Sequence, residues 1–444
     1  MSVDIGNILS IRSRQSKEGW MIVLFPHCGF LSETSRMLAI ARALVAQGAS
    51  VTLATRGGPY RRFLEESGLP LVDLEPRLDP PGVERFLAAL LSMGQPDATP
   101  MLSVPEIRAA VESEVALLRD VGARAAVIGF TLTAILSSRV AGVPLVTSHG
   151  GSFVPPVFER RLAPVPVTPP PGAEKAPAAL LRFAANVAPA WVRAPVRELN
   201  TVARELGVEG VPSLAALMLG DLTLVTDLPE VLGVPRAELE AWRPWTGIFY
   251  RRSTRLRYVG PLFAELDLPV PAEVEDFLDD PSPKVYVSLS SSSAAHVRAV
   301  VARVREAGAR VLVTRTVHDL DDLASDGVLV TDVLPNHLVM PRVDVAVTMG
   351  GQGTVQTAMA SGTPLVGFPL QPEQDLNVAL AERLGMALRI APREGGTERT
   401  TAAVRSVLAE LPRYRAAARR AQELYRGKDG PAACARAILE RASA

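Results

Sequence analysis

The sequence predicts an α/β protein made of two doubly wound parallel-sheet lobes that face a central cleft. Three observations lead there. Short apolar runs alternate with helically spaced stretches twice over, once in residues 20–150 and again from residue 284 onward, which is the pattern of βαβ units. A proline- and acid-rich stretch, Pro269–Pro283, separates the two series. At 444 residues the chain is also long for one domain and comfortable for two.

In the N-terminal lobe, residues 1–18 are a polar lead-in. Met21–Phe25 is an apolar run halted by Pro26, a first strand. Met37, Ile40, Ala41 and Leu44 fall at helical spacing, and Gly48 ends that helix. Val51–Thr55, Leu71–Leu74, Ala125–Phe130 and Leu145–Thr147 continue the strands. Prolines break the rhythm in residues 155–190, read as a long loop with irregular helices. The expected division is an N-terminal lobe over 1–265, a linker over 266–283, a C-terminal lobe over 284–428, and a last helix over 429–444 that could cross back.

The second lobe opens with strand Lys284–Leu289, running into Ser290 and Ser291, then strand Arg310–Thr314 and Val328–Thr331 ahead of Val333–Leu334. Its centre is Val343–Thr354. Alternating valines lead into Gly350–Gly351–Gln352–Gly353–Thr354, and helical spacing follows until Gly362. A strand, a glycine turn and a free helix N-terminus make an anion site, where backbone N–H groups converge and glycine lets the chain come close. An ordinary strand-to-helix turn is the plain alternative. Next, Leu365–Pro369 is a strand, and Glu373 and Gln374 open a helix. Two neighbouring junctions then aim polar groups at one sheet edge, where doubly wound folds bind ligands.

Gly350–Thr354, Ala360–Pro364 and Glu373–Asn377, in this order and spacing, resemble the nucleotide-sugar signature of the family 1 glycosyltransferases. The resemblance implies the two-domain GT-B fold and an inverting, metal-independent sugar transfer. It also implies a nucleoside-diphosphate sugar as donor and a small molecule, of secondary-metabolite type, as acceptor. Gly351, Gly353 and Thr354 would then take the charge on the leaving diphosphate, with Ser290 and Ser291 at the first junction of the same lobe. Those serines are equally a polar turn. Val333 and Leu334 would meet the nucleobase with backbone groups, and Glu373 and Gln374 the sugar hydroxyls.

Three departures stand out. Most relatives carry histidine where this chain has Met349, next to the diphosphate, and a thioether donates no hydrogen bond. Many that use uridine diphosphate sugars place glutamate at the position of Thr357, which tilts the expectation toward deoxythymidine diphosphate. The family's usual base is a histidine, and counting back from Ile40–Leu44 puts Glu33 there. Glu33 is a general base if burial raises its pKa, a contact for the acceptor, or a helix residue favoured by the dipole. His27 is the second candidate base, and Phe30 and His149 are expected on the acceptor side. A non-catalytic auxiliary homologue and a sugar-nucleotide epimerase are the rival functions.

Composition narrows the rest. Forty-seven basic residues balance forty-seven acidic ones, so nucleic acid is not an expected partner. Cys28 and Cys434 are the two cysteines, without a disulfide framework or metal spacing. No metal or other cofactor is expected. No signal peptide pattern is seen, no run approaches the roughly 20 apolar residues of a membrane span, and no basic amphipathic patch stands out. The expectation is a cytoplasmic enzyme, for which a homodimer is an allowed assembly.

Overall fold

The computed structural model describes residues 20–91, 100–148, 152–262, 265–266, 268–289, 292–315 and 318–443. The N-lobe sheet has seven strands: β1 (Met21–Phe25), β2 (Ser50–Thr55), β3 (Leu71–Asp73), β4 (Ala125–Ile128), β5 (Leu145–Thr147), β6 (Leu222–Val225) and β7 (Arg255–Tyr258). Their order is β3-β2-β1-β4-β5-β6-β7 and every pairing is parallel. The helices that matter for the site are α1 (Leu31–Ala46), α2 (Val104–Asp120) and α3 (Ala178–Trp191).

The C-lobe repeats this winding with β8 (Lys284–Ser288), β9 (Arg310–Thr314), β10 (Val328–Thr331), β11 (Val345–Thr348), β12 (Leu365–Gly367) and β13 (Ala387–Arg389), in the order β10-β9-β8-β11-β12-β13. Helices α4 (Gln352–Ser361) and α5 (Pro372–Arg383) follow β11 and β12. The chain reverses direction across each sheet at β1/β4 and at β8/β11, the crevices where such folds bind ligands. Helix α1 leaves the first crevice and α4 the second.

The last helix, α6 (Gly430–Ser443), packs on the N-lobe. Cys434, Ala435 and Ile438 are buried in one cluster with Ile22, Met37, Ile40 and Leu44. The two crossings between lobes touch, since a Cβ on Gly430 would lie 1.8 Å from the carbonyl oxygen of Pro261.

Two segments differ from the sequence expectation. Residues 155–190 include α3, a regular helix of 14 residues, because its Ala- and Leu-rich composition carries the helix until Pro189 in the last turn. Part of the expected linker is a helix, Ala272–Asp279, whose Val274, Phe277 and Leu278 bury one face. Arg342 ties it to the C-lobe through Glu275 and Asp279.

Candidate active site

The turn after β11 is shaped by close approach. Gly350 has φ +87°, and a Cβ there would sit 2.6 Å from the carbonyl oxygen of Gln374. Only glycine fits both constraints. Gly351 is the N-cap of α4 and has no side-chain cap. A Cβ on it would meet nothing within 4 Å, so the space beside the N-cap is open, and the N–H groups of a helix's first turn have no partner within the helix. Thr354 is half-buried in that turn. Asn377 of α5 donates to Gly350 O (3.0 Å) and Glu373 Oε1 (2.8 Å), so it fixes the two junctions to each other.

The other expected donor-side residues fall in varied surroundings. Glu373 is half-buried, and its carboxyl is pushed up by burial against the pull of Asn377 and Arg36. Gln374 is buried, and its Oε1 accepts from the N–H of Leu370 at 2.9 Å. Val333 and the buried Leu334 follow β10. Met349 packs in the C-lobe core with Val287, Val347 and Phe368. Its side chain therefore leaves the cleft surface, which is a correction to its expected place beside the diphosphate. The Thr357 hydroxyl donates to Gly353 O within α4 (2.8 Å) and is buried. Ser290, Ser291 and His149 lie outside the described residues.

Across the cleft, Glu33 lies at the β1/β4 crevice with 2% exposure. Its carboxylate accepts from the backbone N–H of His27 (2.6 Å) and of Phe130 (3.1 Å), the residues just past β1 and β4. Burial raises its pKa to about 7, against the opposing pull of those N–H groups and of Arg36. A Cβ on Gly129 would lie 2.4 Å from Glu33 Oε1, so a glycine there makes room for the carboxylate.

His27 is held differently. Its Nδ1 accepts from the N–H of Gly29 at 3.3 Å. Its ring packs against Phe86 (4.6 Å between centroids), Phe30 (5.4 Å) and Phe130 (6.4 Å). Burial first, then the charge of Arg56, lower its pKa to about 4, so the ring is neutral near pH 7. Together these four rings make an aromatic wall beside Glu33, a surface that suits a planar or apolar group.

Arg36 joins the two sides. It is buried on α1, and its Nη1 donates to Gln352 Oε1 of α4 at 2.9 Å. Gln352 Nε2 in turn donates to Thr226 Oγ1, just past β6, at 3.0 Å. The guanidinium stands in the fields of Glu33 and Glu373. At the same contact a Cβ on Gly353 would lie 3.5 Å from Ser32 Cβ. The start of α1 therefore faces the glycine-rich start of α4.

Arg36, Phe86 and Asn377 are site residues that sequence reasoning missed. Arg36 had one available signal, a charge on the otherwise apolar helix face that carries Met37 and Ile40. Among the described residues no group of three or more His, Cys, Asp or Glu could hold a metal ion.

Two doubly wound sheets with this facing pair of helix starts form the GT-B class of fold. The solved structure of the glycosyltransferase VinC in complex with dTDP is similar at a TM-score of 0.62 and 17% identity, over 95% of this chain and 99% of that one. Over its C-terminal part the chain is similar to the family 1 glycosyltransferases. Residues 232–432 match the family model described as UDP-glucoronosyl and UDP-glucosyl transferase. A PGL/p-HBAD biosynthesis glycosyltransferase of Mycobacterium tuberculosis is 30% identical over 208 residues, 46% of this chain and 44% of that protein. The 4'-demethylrebeccamycin synthase of Lentzea aerocolonigenes is 32% identical over 180 residues, 39% and 42% respectively. The chain thus aligns with less than half the length of these two relatives.

Proposed function

We propose that the protein transfers a sugar from a nucleoside diphosphate, deoxythymidine diphosphate in preference to uridine diphosphate, to a small secondary-metabolite acceptor with inversion. The carrying observation is the opposition of Glu33 and Arg36 on α1 to the open, glycine-lined start of α4. The donor diphosphate would lie over the N–H groups of Gln352, Gly353 and Thr354, with the sugar toward Glu373. An acceptor hydroxyl against the His27–Phe30–Phe86–Phe130 wall would lose its proton to Glu33. Each carboxylate oxygen that takes an N–H bond still has a second lone pair for that proton. Oxygen then attacks the anomeric carbon as the bond to the diphosphate breaks. The charge developing on the leaving group is met by the α4 dipole and by Arg36, a role we assign to these groups without a metal.

His27, neutral and with Nδ1 engaged, fits an acceptor contact better than the base. VinC, an enzyme of the same fold, was solved with dTDP, and the rebeccamycin relative is named for a natural product. Both support this donor and acceptor class. The test is calorimetry with deoxythymidine diphosphate and uridine diphosphate, followed by product analysis with a dTDP-sugar. Tighter binding of the deoxythymidine nucleotide and a glycoside of inverted configuration are expected. Failure of both nucleotides to bind would overturn the donor site and with it the transfer reaction.

A further inference from the structure

Five large apolar side chains stand open to solvent on one part of the N-lobe. Leu180 (56% exposed), Phe183 (55%) and Trp191 (62%) lie on α3; Trp245 (84%) and Ile248 (58%) lie in the loop before β7. Leu180, Phe183, Val187 and Trp191 fall on a single stripe of α3, at steps of three, four and four residues. Leu181, Asn186 and Pro189 face the protein on the opposite side. The Trp191 ring meets Phe249 with centroids 4.8 Å apart, which joins the stripe to the second segment.

The two segments that carry these side chains are themselves one-sided in charge. Residues 175–197 and 242–257 carry nine Lys and Arg and no Asp or Glu, in a chain of formal net charge zero. Arg251 is paired with Asp221 and Glu209, and Arg257 with Glu440. Arg182, Arg193, Arg243 and Arg255 are exposed, and among the described residues none of them has a carboxylate at ion-pair distance. Arg182, Arg193 and Arg243 each stand within two residues of an exposed apolar side chain. Partial burial, then the like charges of Arg243 and Arg441, hold Arg255 below its ordinary range.

We propose that this face docks the protein on an anionic lipid bilayer. Tryptophan, phenylalanine and leucine along one helix side enter the headgroup boundary, and flanking arginines meet anionic headgroups. A second copy fits poorly, because a two-fold interface sets the patch against itself and brings cation to cation. The stripe is one helix wide and carries no acidic group to fix a protein partner's register, which a fluid bilayer does not need. On its buried side the same helix is tied toward the C-lobe. Asn186 of α3 holds Ala163 (3.0 Å), and the loop beyond reaches the C-lobe, where Arg389 donates to Val165 O (3.1 Å). The sequence hid the patch because it is assembled from two segments some fifty residues apart.

The test is co-sedimentation of the full chain with phosphatidylcholine vesicles, with and without phosphatidylglycerol. Binding to the anionic vesicles only, weakened by salt, is expected. Leu180→Glu/Phe183→Glu and Arg193→Glu/Arg243→Glu should each weaken it by roughly tenfold or more. Thermal unfolding should be unchanged, since all four side chains are exposed. No binding of the wild type to anionic vesicles, or equal binding by the apolar variant, overturns the proposal. So does a dimer in light scattering that Leu180→Glu/Phe183→Glu dissociates, which would assign the face to a second copy.

Discussion

Arg36 Nη1 lies 2.9 Å from Gln352 Oε1, and the two residues belong to different lobes. The bond delivers a buried cation from α1 to the helix start that would hold the diphosphate. Arg36→Met should therefore weaken binding of a nucleoside diphosphate by about 10- to 100-fold, the range of a charge-assisted hydrogen bond. Binding of the bare nucleoside, measured in the same calorimeter, should change little.

Glu33→Gln should lower kcat by about 100-fold or more while leaving nucleotide diphosphate affinity close to wild type. In the wild type the carboxylate form is the active one, and burial places its pKa at about 7. The rate should climb from pH 6 to pH 8 and then level off. In Arg36→Met the inflection should move upward, because a neighbouring charge that favours the carboxylate is gone.

Gly350→Ala combines a left-handed φ of +87° with a Cβ 2.6 Å from the Gln374 carbonyl oxygen. Backbone is on both sides of that contact, so little can yield. A loss of about 2 kcal/mol or more in denaturant unfolding is expected, together with weaker donor binding.

Glu114 of α2 is fully buried, accepts from Thr133 Oγ1 at 2.5 Å and from Ser137 Oγ, and burial raises its pKa to about 7. A carboxyl with a raised folded-state pKa stabilises the fold fully below its unfolded value. That contribution is lost as pH rises through the folded value. Stability should fall between pH 5 and pH 8, by up to roughly 3 kcal/mol for this group. Glu114→Gln should flatten that slope in urea titrations at several pH values.

The strands were legible where apolar runs end at glycine or proline, as at Met21–Pro26 and Val343–Gly350. Strand β7, Arg255–Leu256–Arg257–Tyr258, was not, because an edge strand needs few apolar residues. The glycine turn and the position of Glu33 were legible from spacing along the chain. Contacts across the lobes were not, since Arg36 and Gln352 are 316 residues apart and nothing local couples them. His296, at the start of the helix after β8, packs its ring on Phe368, and among the described residues its buried Nε2 has no partner. The loop around Gly395 covers it, a contact between distant segments that no local pattern announces.

The contact between Gly430 and Pro261 has a mechanical meaning. Two covalent crossings that touch act as the spine of a book, so opening of the cleft is a rotation about one line. Substrate entry then widens the gap most at the far edge and least beside α6. The halves also do not come apart as independent pieces. A fragment ending before residue 430 would leave Ile22, Met37 and Ile40 without the Cys434–Ile438 cover, and should be recovered insoluble.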